Sequence, residues 1–360
     1  MRLPMKDGEV NYEEFSRMVD RFLKEGFRYF DTAHGYLDGK SETAVRDCLV
    51  KRYPRSAYSL TDKLTDDYFK KEEDIRPLFE EQLEKTGVDY FDYYLIHSVT
   101  ASNYPKFQRC EAFKVASELK REGKIHHLGM SFHDNAQLLE QILTEHPEIE
   151  IVQIQLNYKD YDDPSIQSRA VYDVCEKFHK PVIVMEPCKG GGLINLPDEA
   201  SKIFNALGGS YASYAIRFCA SFPSVVMVLS GMSNCEQLEQ NVAFMKDFKS
   251  FSEEEYKAVE QVRAILKKQD AIACTACRYC VPGCPKQIPI PDIFACFNAK
   301  KKYKNDWNSD FYYSINTAGK GKASDCIRCG KCERTCPQHL PVRDLLRDAA
   351  AVLEHTNQKD

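Results

Sequence analysis

Apolar residues follow two alternating patterns along the first two thirds of the chain, short continuous runs and longer helical spacings. Eight of the short runs have the length of a β-strand, and they cover residues 1–5, 28–32, 58–63, 93–97, 125–131, 151–155, 182–185 and 225–229. Between them, segments such as residues 12–24 and 73–85 place apolar side chains three or four positions apart. That spacing predicts amphipathic helices, and several of the segments stop at a glycine, as helices commonly do.

The alternation of predicted strands and helices indicates an α/β fold with a parallel sheet, because parallel neighbours must be joined by a crossover connection. Eight such units predict a (β/α)8 TIM barrel. An open, doubly wound sheet is the alternative, but the Gly-x-Gly-x-x-Gly pattern that would follow its first strand is absent from the sequence. We predict a barrel domain at residues 1–268 and a C-terminal domain of different composition at residues 269–360.

Bulk composition narrows the class of protein further. Hydrophobic residues make up 43% of the 360 residues, and the formal net charge of −5 gives no reason to expect nucleic acid or an anionic membrane as a partner. The N-terminal residues lack the apolar stretch of a signal peptide, and the apolar runs are far too short to span a membrane. The sequence therefore predicts a cytoplasmic protein.

The chain contains 15 cysteines, which fall into two groups. Seven stand alone, and we expect them to be buried packing residues. The other eight form two runs after residue 270, each with the spacing C-x2-C-x2-C-x3-C-P. In a chain without an export signal, clustered cysteines are more often metal ligands than disulfides.

The two cysteine runs predict two [4Fe-4S] clusters in a C-terminal ferredoxin-like domain. In bacterial two-cluster ferredoxins, three cysteines of a run bind one cluster and the fourth binds the other. This rule assigns one cluster to Cys274, Cys277, Cys280 and Cys336. It assigns the second cluster to Cys326, Cys329, Cys332 and Cys284. A pair of zinc sites is the alternative, although structural zinc usually takes two cysteine pairs rather than a triplet with a distant fourth ligand.

Polar side chains stand at the ends of three consecutive predicted strands. Asp31 and Tyr36 belong to the second strand and the turn after it, Lys63 ends the third strand, and His97 ends the fourth. The C-terminal ends of barrel strands face the active site, so we expect these four side chains to converge there. A lone Asp, Lys or His at a strand end is more often a cap or a surface group, but three successive strands together outweigh that alternative.

Over about residues 1–247 the sequence resembles the aldo/keto reductase superfamily. The motifs that support this are FDTAHGY at 30–36, SLTDK at 59–63, LIH at 95–97, GMS at 129–131 and QLNY at 155–158. The whole chain resembles the prokaryotic branch of the family that has a C-terminal 4Fe-4S dicluster domain. The resemblance implies that the catalytic tetrad consists of Asp31, Tyr36, Lys63 and His97.

The implied roles suit the chemistry of these side chains. Tyr36 would protonate the carbonyl oxygen of a substrate while hydride reaches its carbon. A free tyrosine, with a pKa near 10, is a poor acid at neutral pH, and we expect the cation of Lys63 to lower that pKa. Asp31 would orient Lys63, and His97 would hydrogen-bond the carbonyl group. General acid–base catalysis of this kind contributes roughly 10²–10⁴ in rate.

The resemblance also implies a nicotinamide coenzyme, NAD(P)H. Ser131 and Gln155 would hold its carboxamide, and Met185 stands where the family has a stacking aromatic ring. The remaining contacts fall within residues 229–241, at Gly231, Ser233, Gln237 and Asn241. Neither Ser233 nor Gln237 is basic, so NAD is as credible as NADP. Relative to the family, the chain begins inside the first strand and lacks the usual N-terminal hairpin, as an alternative or truncated start would.

Three functions remain open at this point. The first is an oxidoreductase that interconverts a small carbonyl compound and an alcohol, with clusters that exchange electrons with an external carrier. Hydride transfer moves two electrons whereas a cubane moves one, so a direct link would need a converter such as flavin, for which the sequence has no motif. The second is a reductase whose clusters are structural or redox-sensing. The third is a nucleotide-binding redox sensor or regulatory subunit.

Overall fold

The structure is a computed structural model that describes residues 2–163, 166–268, 271–272, 274, 276–302, 307–336 and 338–354. The chain divides into two compact units. The first unit comprises Met1–Leu156, Ala170–Pro187 and Ala212–Phe251. The second unit comprises Asn157–Arg169, Cys188–Tyr211 and Ser252–Asp360.

The chain opens with a hairpin. β1 (Met5–Lys6) pairs antiparallel with β2 (Glu9–Val10). Asp7 and Gly8 between them have φ of 52° and 83°, the left-handed backbone that a two-residue type I′ turn requires. For the described residues 2–5, the prediction of a parallel strand is therefore wrong. The expectation that the chain lacks the hairpin usual in the family stays a prediction.

Seven parallel strands, hydrogen-bonded in chain order, form the sheet of the first unit. They are β3 (Tyr29–Asp31), β4 (Ser59–Leu64), β5 (Phe91–Val99), β6 (Ile125–Phe132), β7 (Ile151–Gln155), β8 (Val182–Met185) and β9 (Val225–Val228). Each corresponds to a predicted strand, with ends shifted by at most two residues. Leu60, Leu95, Leu128 and Ile154 are fully buried in four of these strands. Apolar runs that are buried on both faces are typical of a parallel sheet covered by helices.

Fifteen α-helices occur in the described part of the chain. They are α1 (Tyr12–Lys24), α2 (Lys40–Val45), α3 (Ile75–Thr86), α4 (Tyr104–Arg109), α5 (Ala112–Arg121), α6 (Ala136–Glu145), α7 (Ser168–Lys177), α8 (Asp198–Leu207), α9 (Tyr211–Ala220), α10 (Cys235–Lys246), α11 (Glu253–Lys268), α12 (Ile290–Lys302), α13 (Trp307–Thr317), α14 (Lys331–Thr335) and α15 (Val342–Leu353). A π-helical segment covers Arg46–Val50, and 3-10 turns cover Arg55–Ala57, Asp66–Tyr68, Glu72–Asp74, Lys189–Ile194 and Ala323–Asp325. None of the helices in the described part of the chain has both the length and the apolar character needed to cross a membrane.

Helix α1 shows why the periodicity predicts these elements well. Asn11 caps its start by accepting a hydrogen bond from the backbone N–H of Glu14 at 3.2 Å. Phe15, Met18 and Val19 fall on one side of the helix and are buried. The predicted helix at residues 12–24 is therefore confirmed at both ends.

The second unit is helical, and it has an apolar core of its own. Ile290, Ile293 and Phe294 of α12 and Leu346 of α15 lie in that core and are almost fully buried. Helix α11 begins after Ser252, whose hydroxyl accepts a hydrogen bond from the N–H of Glu255 at 3.2 Å. The apolar spacing of residues 342–355 predicts a further helix, which is present as α15, and residue 355 lies outside the described residues.

Candidate active site and cluster-binding segment

The four predicted catalytic side chains lie where three neighbouring strands end. Asp31 is the last residue of β3, Lys63 is the next to last of β4, and His97 lies near the end of β5. Tyr36 follows in the turn after β3. Because the three strands are parallel and adjacent in the sheet, their carboxyl ends meet at one edge. The structure brings these four residues together.

Lys63 is the centre of the group. Its side chain is fully buried, and Nζ donates hydrogen bonds to Asp31 Oδ1 and to the backbone oxygen of Thr32, both at 2.6 Å. Burial on its own would lower the pKa of this ammonium, but the neighbouring Asp31 and Tyr36 outweigh burial and raise it. Lys63 is therefore a buried cation at neutral pH.

Tyr36 faces this cation. Lys63 Nζ lies 4.8 Å from the centre of the Tyr36 ring. Burial raises the pKa of Tyr36, Lys63 opposes it, and the net result is a pKa above the ordinary value of 10. The expectation that Lys63 lowers the pKa is thus correct for that one interaction and wrong for the sum. The phenol is a proton donor that stays protonated at neutral pH.

His97 completes the group from the other side of Tyr36. The two ring centres are 5.8 Å apart, with the rings nearly perpendicular. Burial, followed by the charge of Lys63, holds the pKa of His97 well below its usual range, so the ring is neutral. Its Nδ1 is 2.6 Å from the hydroxyl of Thr65, which fixes the ring orientation. Thr65 carries no signal in the sequence that would have identified it.

The predicted nicotinamide-binding residues lie at the ends of the next strands. Ser131, next to last in β6, is buried, and its hydroxyl accepts a hydrogen bond from the N–H of Ser98 at 3.3 Å. Its hydroxyl also lies 3.4 Å from Nε2 of His133. Gln155 ends β7 and is buried beside Met185, which ends β8. All of these residues lie at the sheet edge that holds the tetrad.

The coenzyme segment predicted at residues 229–241 follows β9. The N–H of Ser233 donates to Gln237 Oε1 at 2.8 Å, and Asn241 Nδ2 donates to the hydroxyl of Ser230 at 2.9 Å. Helix α10 begins in this segment with Asn234 as its cap, accepting from the N–H of Gln237 at 2.9 Å. These side chains therefore organise the turn and the start of the helix.

Arg2 is a neighbour of this segment that the sequence did not reveal. A Cβ built on Gly231 would lie 2.9 Å from Cδ of Arg2, so a guanidinium stem packs directly on that glycine. Residues 229–241 contain no basic side chain. The fold supplies a basic side chain from a position more than two hundred residues away along the chain.

In the second unit, four cysteines line one cavity. They are Cys274, Cys277, Cys280 and Cys336. This is the set that the ferredoxin rule assigns to one cluster, three thiols from the first run and the fourth from the second. Apolar side chains, among them Phe294 and Leu340, form the rest of its lining. The arrangement fits a cubane, whose four irons each bind one thiolate.

The four cysteines predicted to bind the second cluster differ in their burial. Cys332 is buried, Cys329 is exposed, and Cys284 and Cys326 pack partly buried against the apolar core of the unit. Cys280 of the first run packs against the same apolar core that contains Cys332 of the second, so the two runs are neighbours. In the part of the chain that the structure describes, no three Cys, His, Asp or Glu side chains are close enough to hold a single metal ion.

An ion pair stands at the first cavity. Arg278 lines the cavity, and its guanidinium donates to both oxygens of Asp292, at 2.5 and 3.1 Å. Asp292 is nearly fully buried, whereas Arg278 is partly exposed. Burial raises the pKa of Asp292 although Arg278 opposes the shift. The pair fixes the loop of the first cysteine run against α12.

Comparison with protein families settles the class of the chain. The profile of the aldo/keto reductase family matches residues 1–264. The chain belongs to the aldo/keto reductase family. A 4Fe-4S dicluster domain matches residues 248–341, which include both cysteine runs. The chain is therefore an aldo/keto reductase with a C-terminal 4Fe-4S dicluster domain, as its motifs predict.

Individual relatives agree with this assignment. The uncharacterized oxidoreductase YqkF of Bacillus subtilis strain 168 is 24% identical over 278 residues, which cover 68% of this chain and 85% of YqkF. An NADH-specific methylglyoxal reductase of Escherichia coli K12 is 30% identical over 154 residues, 38% of this chain and 45% of that enzyme. The structure of an aldo-keto reductase from Klebsiella pneumoniae in complex with NADPH matches with a TM-score of 0.58 and 21% identity, over 71% of this chain and 87% of that one. The structural match confirms the predicted fold class of the barrel region.

Proposed function

We propose that this aldo/keto reductase reduces a small carbonyl compound to an alcohol with a nicotinamide coenzyme, and that Tyr36 donates the proton. The coenzyme, when bound, supplies the hydride. The main support is the buried contact of Tyr36 with Lys63, which itself is held by Asp31 at 2.6 Å. A phenol beside a fixed buried cation can release a proton to a carbonyl oxygen.

Each residue of the tetrad has a distinct part in this proposal. Tyr36 starts as a neutral phenol and gives its proton to the carbonyl oxygen. Lys63 offsets the negative charge that remains on the phenolate, and Asp31 keeps Lys63 in place. His97, being neutral, hydrogen-bonds the carbonyl group without competing for the proton.

The coenzyme-binding residues remain a proposal as well. Ser131 and Gln155 would hold the carboxamide, with Met185 packed on the nicotinamide ring. Gly231, Ser233, Gln237 and Asn241 would contact the adenosine half. Arg2, packed on Gly231, would neutralise a coenzyme phosphate. The relative that is an NADH-specific methylglyoxal reductase suggests NADH and a small 2-oxoaldehyde for the first assays.

Steady-state kinetics tests the proposed function. Anaerobically purified protein is assayed with NADH and with NADPH against a panel of carbonyl compounds that includes methylglyoxal. Tyr36→Phe should lower kcat by roughly 10²–10⁴, because it removes the acid but keeps the ring. Tyr12→Phe is the matched control, because Tyr12 is 42% exposed and lies outside the tetrad. Unchanged turnover in Tyr36→Phe would favour a regulatory, nucleotide-binding role instead.

We also propose that the dicluster domain binds its two clusters through the eight cysteines of the runs. The cavity shared by Cys274, Cys277, Cys280 and Cys336 supports the first ligand set. Iron and sulfide analysis of anaerobic protein should give about eight irons per chain. Cys336→Ser should lose about half of them, whereas Cys296→Ser, a buried cysteine outside both runs, should lose none. A protein that contains only zinc would contradict the proposal.

We propose that the clusters exchange electrons rather than only stabilise the fold, because two cubanes held by neighbouring cysteine runs can pass single electrons. We propose an external one-electron carrier as the partner and the cytoplasm as the location, because eight unbridged cysteines persist in a reducing compartment.

A further inference from the structure

The second cysteine run carries a group of basic side chains that the proposed reaction does not use. Residues 326–348 contain five basic and three acidic side chains, although the whole chain has a net charge of −5. We call the five basic residues the basic surface of the second run. They are Arg328, Lys331, Arg334, Arg343 and Arg347. All five belong to the second unit, and all except the partly buried Arg343 are exposed.

Three of the five basic side chains are paired with neighbouring carboxylates. Each donates a hydrogen bond to a carboxylate oxygen at 2.8–3.0 Å, Arg328 to Asp344, Arg343 to Glu333, and Arg347 to Asp348. The first two pairs connect the loop of the run and α14 with α15. The three pairs are close to neutral as a group, so the excess positive charge comes from the other two residues.

Lys331 and Arg334 are those two residues. Both are exposed, and neither forms an ion pair with any residue that the structure describes. A Cβ built on Gly330 would lie 3.6 Å from Nη1 of Arg334 and 3.8 Å from Cζ of Arg343. Two guanidinium groups therefore lie beside the loop at Gly330, which directly follows the exposed Cys329. Positive charge is concentrated where a predicted cluster ligand reaches the surface.

An exposed apolar side chain belongs to the same loop. Ile327 stands between Cys326 and Arg328, and it is 58% exposed. Protein–protein interfaces commonly combine apolar side chains at the centre with a polar rim. A polyanion such as nucleic acid would need neither the apolar side chain nor the acidic excess of the whole chain, which repels it. The combination therefore fits a compact acidic protein.

The first cysteine run differs from the second in its charge. Both runs expose a cysteine and a large apolar side chain, Cys277 and Tyr279 in the first, Cys329 and Ile327 in the second. Arg278 is the one basic residue within residues 274–285, and it donates to both oxygens of Asp292 at 2.5 and 3.1 Å. Exposure thus does not distinguish the two runs, whereas unpaired charge favours the second.

We propose that the basic surface of the second run docks an acidic one-electron carrier protein. Ile327 forms the apolar centre of the contact, and Lys331 and Arg334 supply the unpaired charge. This inference rests on the proposed function, because it requires a cluster bound through the second run. In the complex one electron passes between carrier and cluster, so that one is oxidised as the other is reduced, and no bond or proton moves. Opposite charges accelerate such an encounter by roughly 10–10³, and salt weakens the effect.

Binding and electron exchange with purified carriers test the docking surface. The probes are two small acidic proteins, a [2Fe-2S] ferredoxin and a flavodoxin, added to full-length, anaerobically purified enzyme. Calorimetry measures the Kd without a redox step, and stopped-flow absorbance measures the rate of one-electron exchange. We expect binding of at least one probe, with an exchange rate that falls at least about tenfold as salt rises from low to physiological concentration and above.

The variant Lys331→Gln/Arg334→Gln should weaken binding by about tenfold and flatten the salt dependence, because it removes both unpaired charges. The matched control is Lys51→Gln/Arg121→Gln, which removes the same charge from exposed side chains of the first unit. Both variants should keep about eight irons per chain. Equal weakening in the two variants would show that overall charge attracts the carrier, and this result would overturn the proposal.

The variant Ile327→Gln tests the apolar centre without changing the charge. It should speed dissociation of the carrier and leave the salt dependence as it is. Tighter binding of a small basic c-type cytochrome or of duplex DNA than of both acidic probes would overturn the proposal, even if a variant does not fold. If the enzyme reduces no carbonyl compound but binds an acidic carrier, the proposed reduction fails and the docking surface stands. Carbonyl reduction without binding of either acidic probe would contradict the docking surface alone.

Discussion

The sheet and the cysteine runs differ in what holds their functional side chains in place. In the sheet, Asp31 and Lys63 are hydrogen-bonded to each other, His97 lies at hydrogen-bond distance from Thr65, and Lys63 is fully buried. In the cysteine runs, the thiols stand on bent loops, where non-glycine residues such as Ala276 and Arg328 adopt positive φ. The comparison teaches that the fold alone builds the hydride-transfer pocket, whereas the cluster region depends for its order on the groups its cysteines bind.

The largest expected effect comes from removal of the clusters with an iron chelator. Amide exchange in residues 276–288 and 326–336 should accelerate by at least about two orders of magnitude, because thiolate ligation contributes directly to folding there. The strands β4 to β7 should keep their protection. Hydrogen-exchange mass spectrometry under anaerobic conditions measures both regions at once. Equal loss of protection in the strands would show that the two regions do not differ in this way.

An intermediate effect is expected from a single methyl group added in the sheet. Gly129 lies in β6 where a Cβ would stand 2.5 Å from Cδ2 of Leu95 and 2.8 Å from the backbone oxygen of Ile151. Gly129→Ala should therefore reduce the free energy of unfolding by roughly 1–3 kcal/mol, measured by urea denaturation.

The control lies in the cysteine region, where a Cβ on Gly283 would meet no atom within 4 Å. Gly283→Ala should leave the urea midpoint of the sheet unchanged. A similar decrease in the free energy of unfolding in both variants would mean that the two regions do not differ in how closely they are packed.

The smallest effect is a pH dependence of stability that originates in the sheet. Burial lowers the pKa of His133 from 6.5 to about 4, and that of His97 falls well below 6.5. Below pH 6.5 the unfolded chain takes up protons that the folded chain does not, so stability should fall as the pH drops from about 6.5 towards 4. His133→Asn should remove about one proton from the pH slope of unfolding. An unchanged slope in His133→Asn would contradict the assignment.

The elements that the sequence predicted well are those whose pattern is decided locally. Strands β7 and β8 and helix α1 have the predicted ends because their apolar spacing is regular and their neighbours in the chain are polar. The N-terminal strand was mispredicted because a short apolar run does not reveal its pairing partner. The dipeptide Asp7-Gly8 was the available signal, since it favours a type I′ hairpin turn.

The residues of the candidate site likewise fall into those that the sequence could predict and those that it could not. Asp31, Lys63 and His97 could be found because strand ends of a barrel meet at one edge. Thr65 and Arg2 could not, because their contacts with His97 and Gly231 join segments that are distant or unpatterned in sequence. The sign of the shift in the pKa of Tyr36 was also beyond the sequence, since it depends on how far burial outweighs a nearby cation.

The composition of the second unit has a practical consequence for dissecting the enzyme. Ile166, in the connection after β7, packs on the apolar core that α12 and α15 build. A truncation after residue 268 would expose that core contact and leave the connection without its support. A truncated protein would therefore lose this packing contact together with the clusters. A comparison of its activity with that of the full-length protein has to separate the loss of packing from the loss of electron transfer.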